Sequence, residues 1–309
     1  MLIKAAAERT TDVSALEALL KRSDVPPDAR RRIQQEARTL AAGAKAEDDA
    51  AYQIEFYCGS NPNIMTLHDL RLEHNDRVAQ IDHLILNRLL EIYVCESKSF
   101  AQGVSINERG EWSTTYRSSS HGIASPIEQN QRHAAVLRDV LQSGKVTLPK
   151  RLGLTLMPEV RTLVVVSARA RIQRPRRAIP GLDSVIKVDQ VISTIDRAID
   201  EKLSRAFEHG NVGALLAVGK AVSRETLERI ARELAALHRP VSFDWAAKFG
   251  LGAREAQPQS AGVSDLVCDS CARPISEKVA AYSHANPAKF AGRVLCWDCQ
   301  RRRRTTARS

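Results

Sequence analysis

The order of segments between residues 47 and 207 is what most restricts the fold. The run Ala50–Tyr57 reads as a helix. Three stretches follow, Ile64–Glu73, Val78–Leu86 and Glu91–Phe100, each rich in β-branched or aromatic residues and separated at Asn75-Asp76 and Asn87-Arg88. That spacing predicts three consecutive antiparallel strands. Residues 101–125 carry Gly, Ser and Asn around Trp112 and Tyr116 and read as a short hairpin with a loop. Ser125 is placed to cap, and Pro126 to open, the helix IEQNQRHAAVLRDVLQ. After Pro158 the run VRTLVVVS has the continuous apolar character of a strand buried on both faces. A strand at 184–188 and a helix at 189–207 complete the series. The predicted class is α/β with an αβββαβ core.

Flanking segments divide the remainder. Residues 13–46 read as a helical hairpin: Ser14 caps ALEALLKR, Pro26-Pro27 interrupts, and Asp28 opens a second helix to about Leu40. The expected divisions are a helical arm at 1–46, the main domain at 47–210 and a helical extension at 211–249, which holds the amphipathic helix 223–238. A Gly/Ser/Gln/Pro linker at 250–265, a cysteine module at 266–300 and a basic tail at 301–309 follow. The first residues meet Glu8, Arg9 and Asp12 before any apolar run develops, so no secretory signal is read and the cytoplasm is the expected location. No stretch approaches the roughly 18 apolar residues of a membrane span.

Asp82 lies in an apolar strand between Ile81 and, past His83, Leu84-Ile85-Leu86. A carboxylate there is costly unless it is paired or holds a cation. Glu96 and Lys98 share one face of the next strand by alternation. Asp82 and Glu96 meet only if paired residues sum to 178, which centres the connection on Leu89 with an odd loop or a bulge. Opposed side chains would then lie about 5 Å apart at Cβ, close enough to share one divalent ion. Hard oxygen ligands suit Mg²⁺ or Mn²⁺, and a lysine beside the metal can orient a water or stabilise an anionic transition state. The chemistry predicted is metal-assisted phosphodiester hydrolysis.

The segment AQIDHLILNRLLEIYVCESKSF, followed by SPIEQNQRH, resembles the nuclease-related domain (NERD) family, itself similar to PD-(D/E)XK endonucleases. The likeness runs from about Glu47 to Leu141. It implies that Asp82 and Glu96 hold the metal, that Lys98 is the family's lysine, and that Gln129 and Asn130 match its polar helix. Ser97 stands where the family often carries threonine. An acidic residue on the first helix usually completes such sites; Glu47 is the choice here, with Glu55 and Asp48 as rivals. Read from the residues alone, Gln129 lies in the first turn of a helix that would cross the sheet, where its amide could bind a metal-bound water or a phosphate. Arg132 and His133, one turn on, are candidate phosphate contacts. The alternative is a catalytically inactive nucleic-acid-binding or scaffold protein on a nuclease-like core.

Four of the six cysteines form two CxxC pairs, Cys268/Cys271 and Cys296/Cys299, with 24 residues between them. Two such pairs in one short module predict a structural Zn²⁺ in a zinc ribbon, with no open coordination position. The formal charge of +10 fits a polyanionic partner, nucleic acid first, and the expected function favours DNA over RNA. It is concentrated in two segments, Arg169, Arg171, Arg174, Arg176 and Arg177, and Arg301, Arg302, Arg303, Arg304 and Arg308. The first is expected to contact phosphates and the second to tether nucleic acid.

Overall fold

A computed structural model describes residues 1–6, 10–100, 103–116, 119–208, 221–241, 243–252, 266–273, 275 and 277–300. It divides into two compact units, Met1–Trp245 and Ala246–Ser309.

The first unit is built on a six-stranded sheet in the order β1-β2-β3-β4-β10-β12. Its strands are β1 (Leu2–Lys4), β2 (Ile64–His74), β3 (Arg77–Asn87), β4 (Glu91–Lys98), β10 (Glu159–Val166) and β12 (Val185–Lys187). The three predicted strands form the antiparallel run β2-β3-β4, and β10 joins β4 in parallel. Asn75 and Asp76 both take positive φ, 48° and 57°. That is the two-residue turn whose twist suits a hairpin. It pairs His68 with His83. Between β3 and β4 the pairs His83↔Cys95 to Leu86↔Ile92 have the expected sum of 178. The connection is Arg88-Leu89-Leu90, with Leu90 at φ 55°. Asn87 Oδ1 accepts from the main-chain N–H groups of Leu89 (3.0 Å) and Glu91 (3.3 Å). Leu90 itself is buried in the core, which offsets the strain of its left-handed backbone.

Alternation sorts the sheet into two faces. Leu84, Leu86, Ile92 and Val94 pack with α3 (Pro126–Gln142) and α5 (Arg224–Ala236). Ile85, Tyr93 and Cys95 pack with α2 (Pro27–Cys58) and α4 (Val191–Glu208). Burying each such Leu, Ile or Val contributes about 1.5–3 kcal/mol. Ser125 caps α3 by accepting from the Glu128 N–H, with Pro126 in the first turn, and Ser223 caps α5 in the same way.

Two expectations change at the N-terminus. The second helix of the hairpin and the helix at 50–57 are one continuous element, α2, so the division at 46/47 falls inside a helix. Its partner α1 spans Thr10–Leu20, which places Ser14 within the helix and not at its cap. β1 was not anticipated: its three residues add a parallel edge strand beside β2. The residues treated as an arm therefore contribute to the sheet and to the helix packed on it.

Residues 104–123 are more regular than a hairpin with a loop. β5 (Val104–Ile106), β6 (Trp112–Tyr116) and β7 (Ser119–Ile123) join β11 (Ile172–Gln173) in a second, four-stranded sheet. Gly103, at φ 97°, precedes β5; a Cβ there would lie 2.8 Å from the Arg171 carbonyl oxygen. A short hairpin, β8 (Lys150–Arg151) and β9 (Leu154–Thr155), precedes β10. No helix among the described residues is long and apolar enough to cross a membrane.

In the second unit, α6 (Glu277–His284) and α7 (Pro287–Phe290) lie between the two cysteine pairs. They share a small core of Ile275, Ala280, Phe290 and Leu295 with Cys268 and Cys296. Of the expected linker at 250–265, residues 253–265 lie outside the described residues, as does the tail at 301–309.

Candidate functional site

The β3–β4 ladder ends at His83↔Cys95, one residue short of Asp82 and Glu96. There the Asp82 side chain takes over, its Oδ2 accepting the Ser97 main-chain N–H at 2.7 Å. On its other edge β4 stays paired with β10 through Glu96↔Val164, Ser97↔Val165 and Lys98↔Val166. The strand end that bears Glu96, Ser97 and Lys98 is thus held on both sides.

A cleft of about 870 Å³ opens at this end of the sheet. Asp82, Glu96, Lys98, Gln129, His133 and Glu47 all line it. Of the first-helix acids, Glu47 is the one at the cleft. Glu55 instead bonds His68 Nε2 through Oε1 at 3.0 Å, and Asp48 is exposed and not part of the lining. Sequence reading missed Gln35, Arg38 and Thr39 of α2, Gln80 of β3 and Thr114 of the second sheet as further cleft walls. Only their position in the fold reveals them.

Glu96 is 3% exposed, and Lys98 Nζ donates to its Oε1 at 2.6 Å. Its Oε2 lies 3.4 Å from His133 Nδ1, close enough for an ion pair. The angles are not those of a hydrogen bond, and both atoms are buried without one among the described residues. Burial alone would push the Glu96 carboxyl up, but His133 and Lys98 together hold it below the usual carboxylate range. The site therefore presents an ionised carboxylate with an unsatisfied buried oxygen, a donor set that fits a hard divalent cation.

Gln129 and Asn130 part company. Gln129 faces the cleft. Asn130 is fully buried and donates through Nδ2 to the carbonyls of Val94 (2.8 Å) and Leu163 (2.9 Å), fastening α3 to β4 and β10. Arg132 is exposed and does not line the cleft, unlike His133. The first arginine segment begins where β10 ends: Ser167 N–H bonds the Lys98 carbonyl at 3.2 Å, and Val104 N–H bonds the Arg171 carbonyl at 2.8 Å. Arg169, Arg171, Arg174, Arg176 and Arg177 are all exposed. Two details modify the expected all-basic surface. Arg174 donates to the Val185 carbonyl at 2.6 Å, and Glu108, distant in sequence, accepts the main-chain N–H groups of Arg176 and Arg177. Arg301, Arg302, Arg303, Arg304 and Arg308 lie outside the described residues.

The four cysteines of the second unit place their sulfurs within 4.8 Å of one another. Cys271 and Cys296 Sγ are 3.6 Å apart. Tetrahedral Zn–S bonds of about 2.3 Å would set sulfurs about 3.8 Å apart. The Cys296 N–H donates to Cys268 Sγ at 3.1 Å. Burial raises the Cys268 thiol, but the N–H groups of Cys296, Ser270 and Cys271 outweigh it and bring the thiol down to about 6. Such thiolate-favouring main-chain donors and this spacing fit a zinc ion. No other group of three or more clustered His, Cys, Asp or Glu ligands occurs among the described residues.

An α-helix, three antiparallel strands, a crossing helix and a parallel strand, with carboxylates and a lysine at one sheet end, define a nuclease-like α/β domain. Residues 42–167 match the family model of the nuclease-related domain, NERD, so the likeness seen in QIDH and ESK extends across that segment, somewhat under half of the chain. No curated protein and no solved structure matches the chain significantly.

Proposed function

We propose that this protein is a metal-dependent nuclease that hydrolyses phosphodiester bonds in nucleic acid, with DNA ahead of RNA as substrate. The reading rests on one observation: Asp82, Glu96, Lys98, Gln129 and Glu47 line a single cleft in which the buried Glu96 Oε2 has no hydrogen-bond partner among the described residues. Asp82 and Glu96 would hold Mg²⁺ or Mn²⁺, with Glu47 on the wall of the same cleft. When bound, such an ion lowers the pKa of water and offsets charge building on the scissile phosphate. Lys98, tethered to Glu96 Oε1, keeps its ammonium beside the reacting groups, where it orients the attacking water and neutralises developing negative charge. Gln129 offers its amide to that water or to a phosphate oxygen. Exposed Arg169 and Arg171, a few residues past the end of β10, supply phosphate contacts, and the zinc-fitted cysteine unit with its basic tail tethers the nucleic acid.

The test is incubation of circular and linear, single- and double-stranded DNA and RNA with Mg²⁺, Mn²⁺ or EDTA. Cleavage is expected with either metal, abolished by EDTA and reduced at least about 10²-fold by Asp82→Ala or Lys98→Ala. Wild-type rates in those variants would refute the site. Nucleic-acid binding that weakens steeply with salt, without any cleavage, would establish the inactive, binding-only alternative.

A further inference from the structure

Leading away from the cleft wall at Ser97 runs a buried polar chain that the proposed chemistry does not use. Glu55 Oε1 on α2 lies 3.0 Å from His68 Nε2 on β2. His68 Nδ1 lies 2.8 Å from His83 Nδ1 on β3, and His83 Nε2 lies 2.9 Å from Ser97 Oγ on β4. His68, His83 and Ser97 are 2%, 1% and 7% exposed, set among Ile54, Ile85 and Cys95. A polar chain in such surroundings is tolerated only when each member is satisfied.

The geometry gives the chain one direction when both rings are neutral. Burial pushes the Glu55 carboxyl up, but hydrogen bonds from His68 and Thr66 hold it below its ordinary range, so it is an acceptor. His68 then donates from Nε2 and accepts at Nδ1, His83 donates from Nδ1 and accepts at Nε2, and the Ser97 hydroxyl donates to His83. Ser97 is thereby gripped by two consecutive residues of β3. His83 takes its hydroxyl, and Asp82 takes its main-chain N–H at 2.7 Å. These two side-chain bonds stand where the β3–β4 ladder has ended.

We propose that His83 and Ser97 are positioning residues. Anchored through His68 to Glu55, they fix the main chain between Glu96 and Lys98 and so set the placement of Asp82 relative to Glu96. This rests on the reading of Asp82 and Glu96 as metal-holding carboxylates. It accounts for a serine between two site residues, since a hydroxyl at that position is what His83 grips, and it predicts that threonine serves equally.

The experiment is calorimetric titration of the zinc-loaded full-length protein with Mn²⁺, with Asp82→Asn defining the component bound at the cleft. Ser97→Ala is expected to raise the Mn²⁺ dissociation constant of that component about tenfold, in the range typical of groups that orient metal ligands. Ser97→Thr should restore it to within about twofold of wild type, and a thermal melt of each variant verifies folding. If Ser97→Ala does not fold, His83→Leu, which removes the grip and leaves Ser97 in place, decides by the same measure. Wild-type affinity in the folded Ser97→Ala or His83→Leu variant overturns the positioning role while leaving the metal site standing. Absence of any Asp82-dependent Mn²⁺ binding in the wild type overturns both.

Discussion

Asn130 and Gln129 are neighbours on α3, yet their substitution should have opposite consequences. Asn130 makes two hydrogen bonds with no access to solvent, to the Val94 and Leu163 carbonyls. Such bonds contribute about 0.5–1.5 kcal/mol each. Against them stands its Oδ1, buried without a hydrogen-bond partner among the described residues, which returns part of the gain. Asn130→Leu, similar in shape and with no polar atom to satisfy, should therefore cost about 1–2 kcal/mol. For a unit of this size that corresponds to a fall in Tm of roughly 2–8 °C. Gln129→Ala, at the cleft, should leave Tm almost unchanged, within about 0.5 kcal/mol, and lower the cleavage rate. Differential scanning calorimetry of the zinc-loaded chain reads the first quantity, and a nuclease assay well below Tm reads the second. If Asn130→Leu melts with wild-type protein, or abolishes cleavage while fully folded, Asn130 is a site residue and the structural assignment is wrong.

Two further outcomes follow from the same geometry. Because the folded state holds the Glu96 carboxyl below its ordinary value, its contribution to stability is complete above about pH 4.5 and is lost as pH falls through the lower folded value. Guanidinium unfolding at a series of pH values between about 6 and 3 should show a shallower acid decline for Glu96→Gln than for wild type; equal slopes would count against the ionised pair with Lys98. Chelation of zinc should unfold the cysteine unit, whose small core cannot stand alone without a term on the order of 10 kcal/mol from the metal. The loss is read by calorimetry or by the near-ultraviolet signal of Trp297, and an unchanged second unit after complete chelation would contradict a structural zinc.

Local signals are legible in the one-dimensional sequence when the interaction they report is itself local. Ser125-Pro126, the apolar run at 160–167 and the paired CxxC motifs each specify their element through a cap, a periodicity or a short ligand loop, and each element forms where expected. The 178 register is readable because a carboxylate in an apolar strand needs a partner; the structure pairs the strands in that register from Leu86↔Ile92 to His83↔Cys95, and Asp82 then bonds the Ser97 main chain in place of a ladder pair with Glu96. Equivalent arithmetic on the Asn75-Asp76 turn places His68 opposite His83, as the structure has it. The helix at 27–58 runs on through Gly43: Ala41, Ala42, Ala44 and Ala46 around it favour helix, and packing on α1 at one end and on the sheet at the other sustains the element.

What the sequence determined by itself is the αβββαβ order, the β3–β4 register and the cysteine cluster, since these depend on alternation, capping and spacing along the chain. The tertiary structure decided which first-helix acid reaches the cleft, that Asn130 turns into the core while Gln129 turns out, and that Glu108 comes to the arginine segment. It also decided that Glu55, His68, His83 and Ser97 form one chain. Those contacts join residues from separate elements, and their distances depend on how helices and strands pack across the sheet, a quantity no local pattern contains.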